Sequence, residues 1–447
     1  MVRSNKIYFK SEDEELLTYL QKHLTYEIIE QSQGNMNPRY HSMFGSVGKD
    51  VYWIPNTRLD LLETFYQGSM EFEVSDKRGK VAAIIPKPKF TPRWDQAEII
   101  DAYENDSIIN GAPGFGKTIT ALAIAHKLQQ KTLVVCTNVD IRRMWEKEIE
   151  KWFGFTPSII GSGKKDWDMP ITVANIQTVR KLGLELAGEF GLLVIDEAHH
   201  CTASTFDFLV MNSRAFYKIG LTGTLWRKDG LHVCFTNYFG RKIFKPKESN
   251  TLPPTIHRYR MPMEIPGESS TPWALRINEL YENPNYRGKV KDLANSYALL
   301  GHKVLVVADR TELLGWLHED NLVPSFIITG EVEDRLSVQK EVSECPTGCV
   351  LYATQSIFSE GISLNALSCV LLGAPTNNQS LVNQVIGRIQ RIEEGKLAPV
   401  AIDLQLKGNT GSRHAGMRKN IYATRGWPIE EHTFEGLAQK VKKVFAK

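Results

Sequence analysis

The chain has 447 residues, more than one ordinary domain accommodates, so two or three domains are expected. Its 42% hydrophobic and 23% charged content suits a water-soluble globular protein. No apolar run approaches the ~20 residues of a membrane span and residues 1–10 hold no signal-peptide core, which argues against membrane and secreted classes and for the cytosol, or a host cytosol if the protein is viral. A net charge of +3 neither requires nor forbids nucleic acid, so any basic track must be local.

Residues 1–88 read as a small α+β domain. A strand is expected at 6–9. S-E-D-E at 11–14 has capping-box spacing, and Leu16, Leu17, Leu20 and Leu24 come after it at helical intervals. Strands are expected at 26–30 and 51–54, then a helix after Thr57 carrying Leu59, Leu61, Leu62 and Phe65 and stopping at Gly68. Apolar runs at 70–74 and 81–85 bracket D-K-R-G-K, a hairpin signal. Lys77, Arg78 and Lys80, with R-Y-H at 39–41 and Tyr52-Trp53, suit a DNA-engaging surface. The same residues also fit core aromatics beside a solvated turn.

A linker, K-P-K-F-T-P at 87–92, leads to a second domain over 89–248. Residues 108–118 read I-I-N-G-A-P-G-F-G-K-T: an apolar strand, the spacing G-x-x-x-x-G-K-T, and an Ala-rich helix. Backbone N–H groups of Gly111, Ala112, Gly114, Phe115 and Gly116 would wrap phosphate oxygens, with Pro113 shaping the loop but lacking an N–H. The helix N-terminus adds partial positive charge. Lys117 would reach the β- and γ-phosphates of ATP, and the Thr118 hydroxyl would hold Mg²⁺. A Gly-rich turn that binds nothing is the bland alternative, which the flanking strand and helix disfavour.

Short apolar strands at 132–136, 171–174, 192–195 and 217–221 alternate with helices from about 142 and 178, a doubly wound parallel-sheet pattern with its working groups at strand C-terminal ends. The third of these strands ends in D-E-A-H at 196–199. Asp196 can hold a metal through water, and Glu197 can orient and deprotonate an attacking water. His200 and Cys201 read as ordinary polar neighbours. L-T-G-T at 221–224 sets small hydroxyls at a strand tip beside the acidic pair, where they could relay nucleotide state. The six cysteines are scattered and expected as free thiols; Cys345 and Cys349 lack the partners of a zinc site.

K-P-K-E-S-N-T-L-P-P at 245–254 has the composition of an interdomain connection, which gives a third domain at 249–447. A helix is expected at 287–300 and strands at 303–307, 325–328, 349–352, 369–372 and 400–404. No second phosphate loop occurs here. Q-V-I-G-R-I-Q-R at 384–391 places Arg388 and Arg391 three apart, on one face of a helix. They read either as a basic helix face or as arginine fingers, which change rates by about 10³–10⁵ in known cases.

In order, these segments resemble the motif set of superfamily 2 helicases over roughly residues 90 to 430. Gln96 stands at the family's adenine-reading glutamine, 111–118 at motif I and 196–199 at motif II in its DEAH form. Thr222-Gly223-Thr224 looks like motif III and Asp309-Arg310 like motif IV. Ala353-Thr354 with Glu360-Gly361 looks like motif V, and 384–391 like motif VI. L-T-G-T-L-W-R-K-D-G, then Tyr238-Phe239-Gly240, and later Arg418, Tyr422 and Gly426-Trp427 are similar to the branch containing XPB, UvsW and restriction translocases. The small N-terminal unit looks most like tailed-phage (T5-like) branch-migration helicases.

The resemblance implies an α/β fold of two RecA-like parallel-sheet domains in tandem behind a small α+β domain. It implies ATP and Mg²⁺ as cofactors, with Gln384, Arg388 and Arg391 acting on the phosphates from the second RecA-like domain. It also implies sequence-independent backbone contacts to branched, forked or tailed DNA through Thr137, Thr178 and Thr354, with Trp226 and Arg227 at the duplex or fork. A monomer is expected. Gly361-Ile362-Ser363 departs from the usual G-x-D, and Cys136-Thr137-Asn138 with Met144-Trp145 departs from the usual Pro-Thr and Gln-Trp. A DEAH-type RNA helicase and a duplex translocase without strand separation are the alternatives. A non-enzymatic nucleotide switch fits the intact acidic pair poorly.

Overall fold

A computed structural model describes every residue except 33–34, 112–113, 199–203, 224, 226–233, 247–250, 269, 333, 356–363 and 446–447. The chain forms two compact units, Met1–Ser249 and Asn250–Lys447.

The first unit opens with strands β1 (Val2–Arg3), β2 (Lys6–Lys10), β3 (Thr25–Ser32), β4 (Asn35–Ser42), β5 (Gly45–Ser46), β6 (Val51–Pro55) and β7 (Ser75–Asp76). Five of them form a sheet in the order β5-β6-β2-β1-β7, while β3 and β4 pair separately as an antiparallel ribbon. The helix Glu14–Leu24 is capped by Asp13, which accepts from Leu16 N at 3.0 Å, rather than by Ser11. It buries Leu16, Leu20 and Leu24.

The hairpin expected across 70–85 does not form. β7 instead adds in parallel to β1, and Gly79 and Ala82 make single bridges to Ala215 and Gln130. Arg78 gives the reason. Its side chain is only 5% exposed, pairs with Asp76 at 2.7 Å and donates to Phe216 O at 3.1 Å. Lys80 Nζ lies 4.3 Å from the Phe216 ring centre. These cations hold the segment down, where a hairpin turn would have projected them. Residues 1–88 also share a core with later parts of the same unit: Ile7, Leu20, Ile54 and Leu62 cluster with Phe235 and Tyr238. Thr57 Oγ1 donates to Asn237 O at 2.7 Å.

The rest of the unit is an eight-stranded sheet of β8 (Ser107–Asn110), β9 (Thr132–Cys136), β10 (Ser158–Gly161), β11 (Lys164–Lys165), β12 (Ile171–Asn175), β13 (Leu192–Ile195), β14 (Tyr217–Thr222) and β15 (Lys242–Phe244), in the order β11-β10-β12-β9-β13-β14-β8-β15. Only the β10–β11 pairing is antiparallel. β9 and β13 are apolar without alternation and fully buried, as expected for strands covered on both faces. The order sets the C-terminal ends of β8, β14, β13 and β9 side by side.

The second unit is built on β16 (Thr255–Glu264), β17 (Lys303–Ala308), β18 (Ser325–Ile328), β19 (Cys349–Thr354), β20 (Cys369–Leu372), β21 (Val400–Lys407) and β22 (Ile429–His432). They run parallel in the order β18-β19-β17-β20-β21-β16-β22. β16 and β22 are not evident from the sequence. T-I-H-R-Y-R-M-P-M-E and I-E-E-H lack the continuous apolar run of a central parallel strand, and both lie at one side of the sheet.

Burial pushes His302, whose Nδ1 lies 3.0 Å from Ser368 Oγ, down to about 4. Burial and the adjacent His432 do the same to His257. A folded-state value below the unfolded ~6.5 makes the neutral ring stabilising above about pH 6.5, and that stability is lost as pH falls toward 4. Thermal unfolding between pH 7 and 4.5 should therefore show Tm falling with acid, and His302→Asn should flatten the decline. Parallel Tm–pH curves for the two proteins would assign the acid sensitivity elsewhere.

Candidate active site

β8 delivers the chain to Gly111, whose N–H donates to Thr222 O at the end of neighbouring β14, at 3.1 Å. The loop then turns through Gly114 (φ 87°) and Gly116 (φ 90°), left-handed backbone that a side chain disfavours. There is no room for one either. A Cβ on Gly111 would fall 2.6 Å from the Phe115 ring, and one on Gly116 would fall 2.5 Å from Gln96 Nε2. The result is a close backbone cradle ahead of the N-terminus of the helix Lys117–Leu128, which suits phosphate oxygens. Lys117 Nζ donates to Gly111 O at 3.0 Å, so the lysine reaches back across the loop. Thr118 is half-buried in the first helical turn. Ala112 and Pro113 lie outside the described residues.

The helix Trp94–Ala102 braces this loop. Gln96 is 3% exposed; its Oε1 accepts from Arg93 N and its Nε2 donates to Phe115 O, both at 3.0 Å. Arg93 Nη2 donates to the same carbonyl at 2.6 Å and is steered by Asp95 at 3.1 Å. The Nε2 end of the Gln96 amide thus holds the phosphate loop, while its Oε1 end closes the cap of its own helix. The sequence singled out Gln96 but not Arg93 and Asp95, although R-W-D-Q at 93–96 carried the signal.

β13 ends at the acidic pair. Asp196 is buried; its Oδ2 accepts from Trp145 Nε1 at 2.7 Å and its Oδ1 from Glu197 N at 2.9 Å. Burial and the adjacent Glu197 raise the proton affinity of Asp196, while the Trp145 bond and the Lys117 charge favour the carboxylate. Glu197 has φ 49°, a left-handed conformation costing a non-glycine residue about 1–3 kcal/mol. Strain of that size falls on the second carboxylate of the acidic pair, which makes this strand end a candidate functional position. His199 lies outside the described residues.

In the sequence Trp145 keeps the Trp of the usual Gln-Trp, and the departure is Met144 before it. Trp145 is fully buried in the helix Val139–Phe153, and it orients Asp196. Trp145→Phe keeps an aromatic ring in place and removes one hydrogen bond to a charged group, a loss of about 1.5–3 kcal/mol. Nucleotide hydrolysis should fall about tenfold or more, with a raised Mg²⁺ requirement in a metal titration. An unchanged rate and metal dependence would show that Asp196 needs no such anchor.

Thr137 comes directly after β9. Its Oγ1 is buried with no hydrogen-bond partner among the described residues, while Asn138 caps the next helix by accepting from Ile141 N at 2.9 Å. Thr178 is half-buried in the helix Ile176–Leu182, directly after β12, which pairs with β9. Thr137 and Thr178 therefore occupy neighbouring strand ends. Thr224, Trp226 and Arg227 lie outside the described residues.

In the second unit Thr354 ends β19, 8% exposed, its Oγ1 likewise without a partner among the described residues. Asp309 comes after the adjacent β17, accepts from Tyr281 Oη at 2.7 Å and pairs with Arg310 at 3.1 Å. Glu360 and Gly361 lie outside the described residues. The helix Gln379–Ile389 carries Gln384 and Arg388, both half-buried. Arg391 does not share its face. The helix stops at Ile389 because Leu252 N bonds Gln390 O at 2.9 Å and Arg391 bridges Thr251. Arg391 Nη1 donates to Asn365 Oδ1 at 3.1 Å, and burial, with Arg388 nearby, pushes its guanidinium down to about 9.

Residues 89–227 match the family described as type III restriction enzyme, res subunit, and residues 288–393 the helicase conserved C-terminal domain. The whole chain is 49% identical to a protein of Escherichia phage T5 named "Probable helicase D10", over 99% of that protein. It is 22% identical to "ATP-dependent DNA helicase uvsW" of Enterobacteria phage T4, over 74% of this chain and 72% of the relative. Among solved structures, S. cerevisiae Dbp5 bound to RNA and ADP BeF3 gives a TM-score of 0.57 at 12% identity, covering 79% of this chain and 94% of that one, a likeness of fold.

Proposed function

The chain belongs to the superfamily 2 helicases, ATP-dependent enzymes built on RecA-like sheets, and from that premise we propose that it unwinds branched DNA and drives branch migration in phage replication, recombination and repair. The observation that carries the reading is a juxtaposition on one sheet. The phosphate cradle after β8, the acidic pair after β13 and the Thr137 hydroxyl after β9, which has no partner among the described residues, share one end of the first unit. Hydrolysis and a grip on a polymer backbone then sit on one rigid element. The T4 relative, named a DNA helicase, favours DNA over RNA as the polymer.

In this reading the loop from Gly111 to Gly116 and Lys117 hold the ATP phosphates. Thr118 and Asp196 would hold Mg²⁺, which when bound neutralises phosphate charge. Glu197 takes the proton of the attacking water, and Gln384, Arg388 and Arg391 act on the γ-phosphate. Thr137, Thr178 and Thr354 grip phosphates of one strand and read no base, while Trp226 and Arg227 meet the duplex or fork. Movement along DNA results from coupling these grips to the nucleotide state. The chain works as a monomer, and no described helix is long and apolar enough to cross a membrane.

The test is ATP-dependent strand separation on forks, four-way junctions, and 3′- and 5′-tailed DNA duplexes, with an RNA duplex in parallel. Branched DNA should be unwound fastest, and DNA should stimulate ATP hydrolysis more than RNA. Stimulation by RNA alone would move the assignment to an RNA helicase. Translocation with no strand separation would move it to a duplex translocase.

A further inference from the structure

We propose that the second unit contains a pocket that seats one unpaired nucleotide of the DNA strand, its base against Trp273 and its phosphate beside Arg413. The proposal rests on the reading of the chain as a DNA motor and names a contact outside the helicase motifs.

The pocket is an open cavity of about 360 Å³, large enough for one nucleotide, lined by the start of the helix Trp273–Glu282, the loop after β20 and the start of the helix Gly408–Thr424. Trp273 is 40% exposed, yet it is held by neighbours: its ring centre lies 5.2 Å from that of His414 and 5.9 Å from the Arg276 guanidinium. An exposed indole fixed in this way is a stacking platform, and stacking tolerates any base.

The lining carries positive charge and no carboxylate among the described residues. Arg276 is 7% exposed, and its bonds go to neutral oxygens: Pro266 O at 2.6 Å, Ile265 O at 3.5 Å and Thr410 Oγ1 at 3.4 Å. Its charge is therefore not neutralised by these partners. Arg413 is exposed at the rim. His414, 6% exposed, leaves Nδ1 without a hydrogen-bond partner among the described residues. Burial, together with the charges of Arg418, Arg413 and Arg276, pushes this imidazole down to about 4. Arg413 and Arg276 contribute positive potential here, which attracts a phosphate, whereas Arg418 is paired with Asp403 at 2.6 Å. Thr376 and Asn377 add polar groups to the lining.

A held, exposed indole and the charges of Arg276 and Arg413 converge on one nucleotide-sized space. The loop bearing Thr376 and Asn377 runs directly into the helix Gln379–Ile389, which bears Gln384 and Arg388. A nucleotide in the pocket would thus press on the segment leading to the arginine helix.

The experiment measures binding of the full chain to fluorescein-labelled oligo-dT by anisotropy at several salt concentrations, for wild type, Trp273→Ala, Trp273→Phe and Arg413→Ala. Trp273→Ala should weaken binding about tenfold, with most of the affinity restored by Trp273→Phe. Arg413→Ala should reduce the slope of log K against log salt by about 0.7, one phosphate contact on a single strand. ATP hydrolysis without DNA should be unchanged in all three. Wild-type affinity and salt slope in the variants would overturn the pocket and leave the DNA reading standing. Failure of the wild-type chain to bind DNA would overturn both. Displacement of the oligonucleotide by micromolar free dTMP would replace the strand with a free nucleotide as the occupant and so overturn the proposal. Equal losses in Trp273→Ala and Trp273→Phe with a fall in Tm would reduce the indole to a structural role and overturn it as well.

Discussion

Glu197→Gln should lower ATP turnover by about 10²–10⁴-fold, the contribution of a positioned general base, and leave ATP bound. The amide copies the shape of the carboxylate and keeps the backbone N–H bond to Asp196, at 2.9 Å, but cannot accept the proton of the attacking water. Lys117→Ala should be equally inactive for a different reason. Its Nζ bond to Gly111 O disappears along with its charge, so nucleotide affinity falls too. Phosphate release under saturating ATP measures the first effect, and nucleotide-induced thermal stabilisation separates the two. Both variants should still bind DNA. Normal turnover in either purified variant would remove the loop and the acidic pair from the catalytic assignment.

Arg388→Ala should lose hydrolysis by about 10³-fold or more, with much less loss of ATP affinity, because an arginine finger acts on charge that develops during the reaction. Arg391→Ala should behave differently. Arg391 bridges Thr251 and donates to Asn365 Oδ1, so its removal should lower Tm as well as the rate. The comparison needs kcat, ATP affinity and Tm on the same preparations. A collapse of affinity in Arg388→Ala, with turnover per bound ATP intact, would refute the finger role.

The N-terminal region shows where local pattern stops being informative. Helices 14–24 and 59–65 were legible because leucines recur at helical spacing over one buried face. The hairpin at 70–85 rested on turn composition alone, and Arg78 overrode it. A guanidinium that can pair with Asp76 and cover Phe216 gains more there than in an exposed turn. Likewise Arg388 and Arg391 looked like one helical face until the strand-like pairing of Thr251 with Arg391 ended the helix. That partner lies some 140 residues away, beyond the reach of any periodicity.

The sequence by itself determined the phosphate loop, the acidic pair, and most strands of the two parallel series with their order along the chain. Each is a local pattern: glycines where a Cβ would clash, carboxylates at the end of an apolar run, unbroken Val, Ile and Leu in strands covered on both faces. Only the tertiary structure decided what holds those groups in place. Trp145 reaches Asp196 across 51 positions, Gln96 and Arg93 clamp Phe115 across 19 and 22, and the Trp273 pocket closes with residues 413–414. The physical reason is the same throughout. A buried polar atom takes whichever partner the fold brings within 3 Å, and sheet order, not chain order, sets that choice.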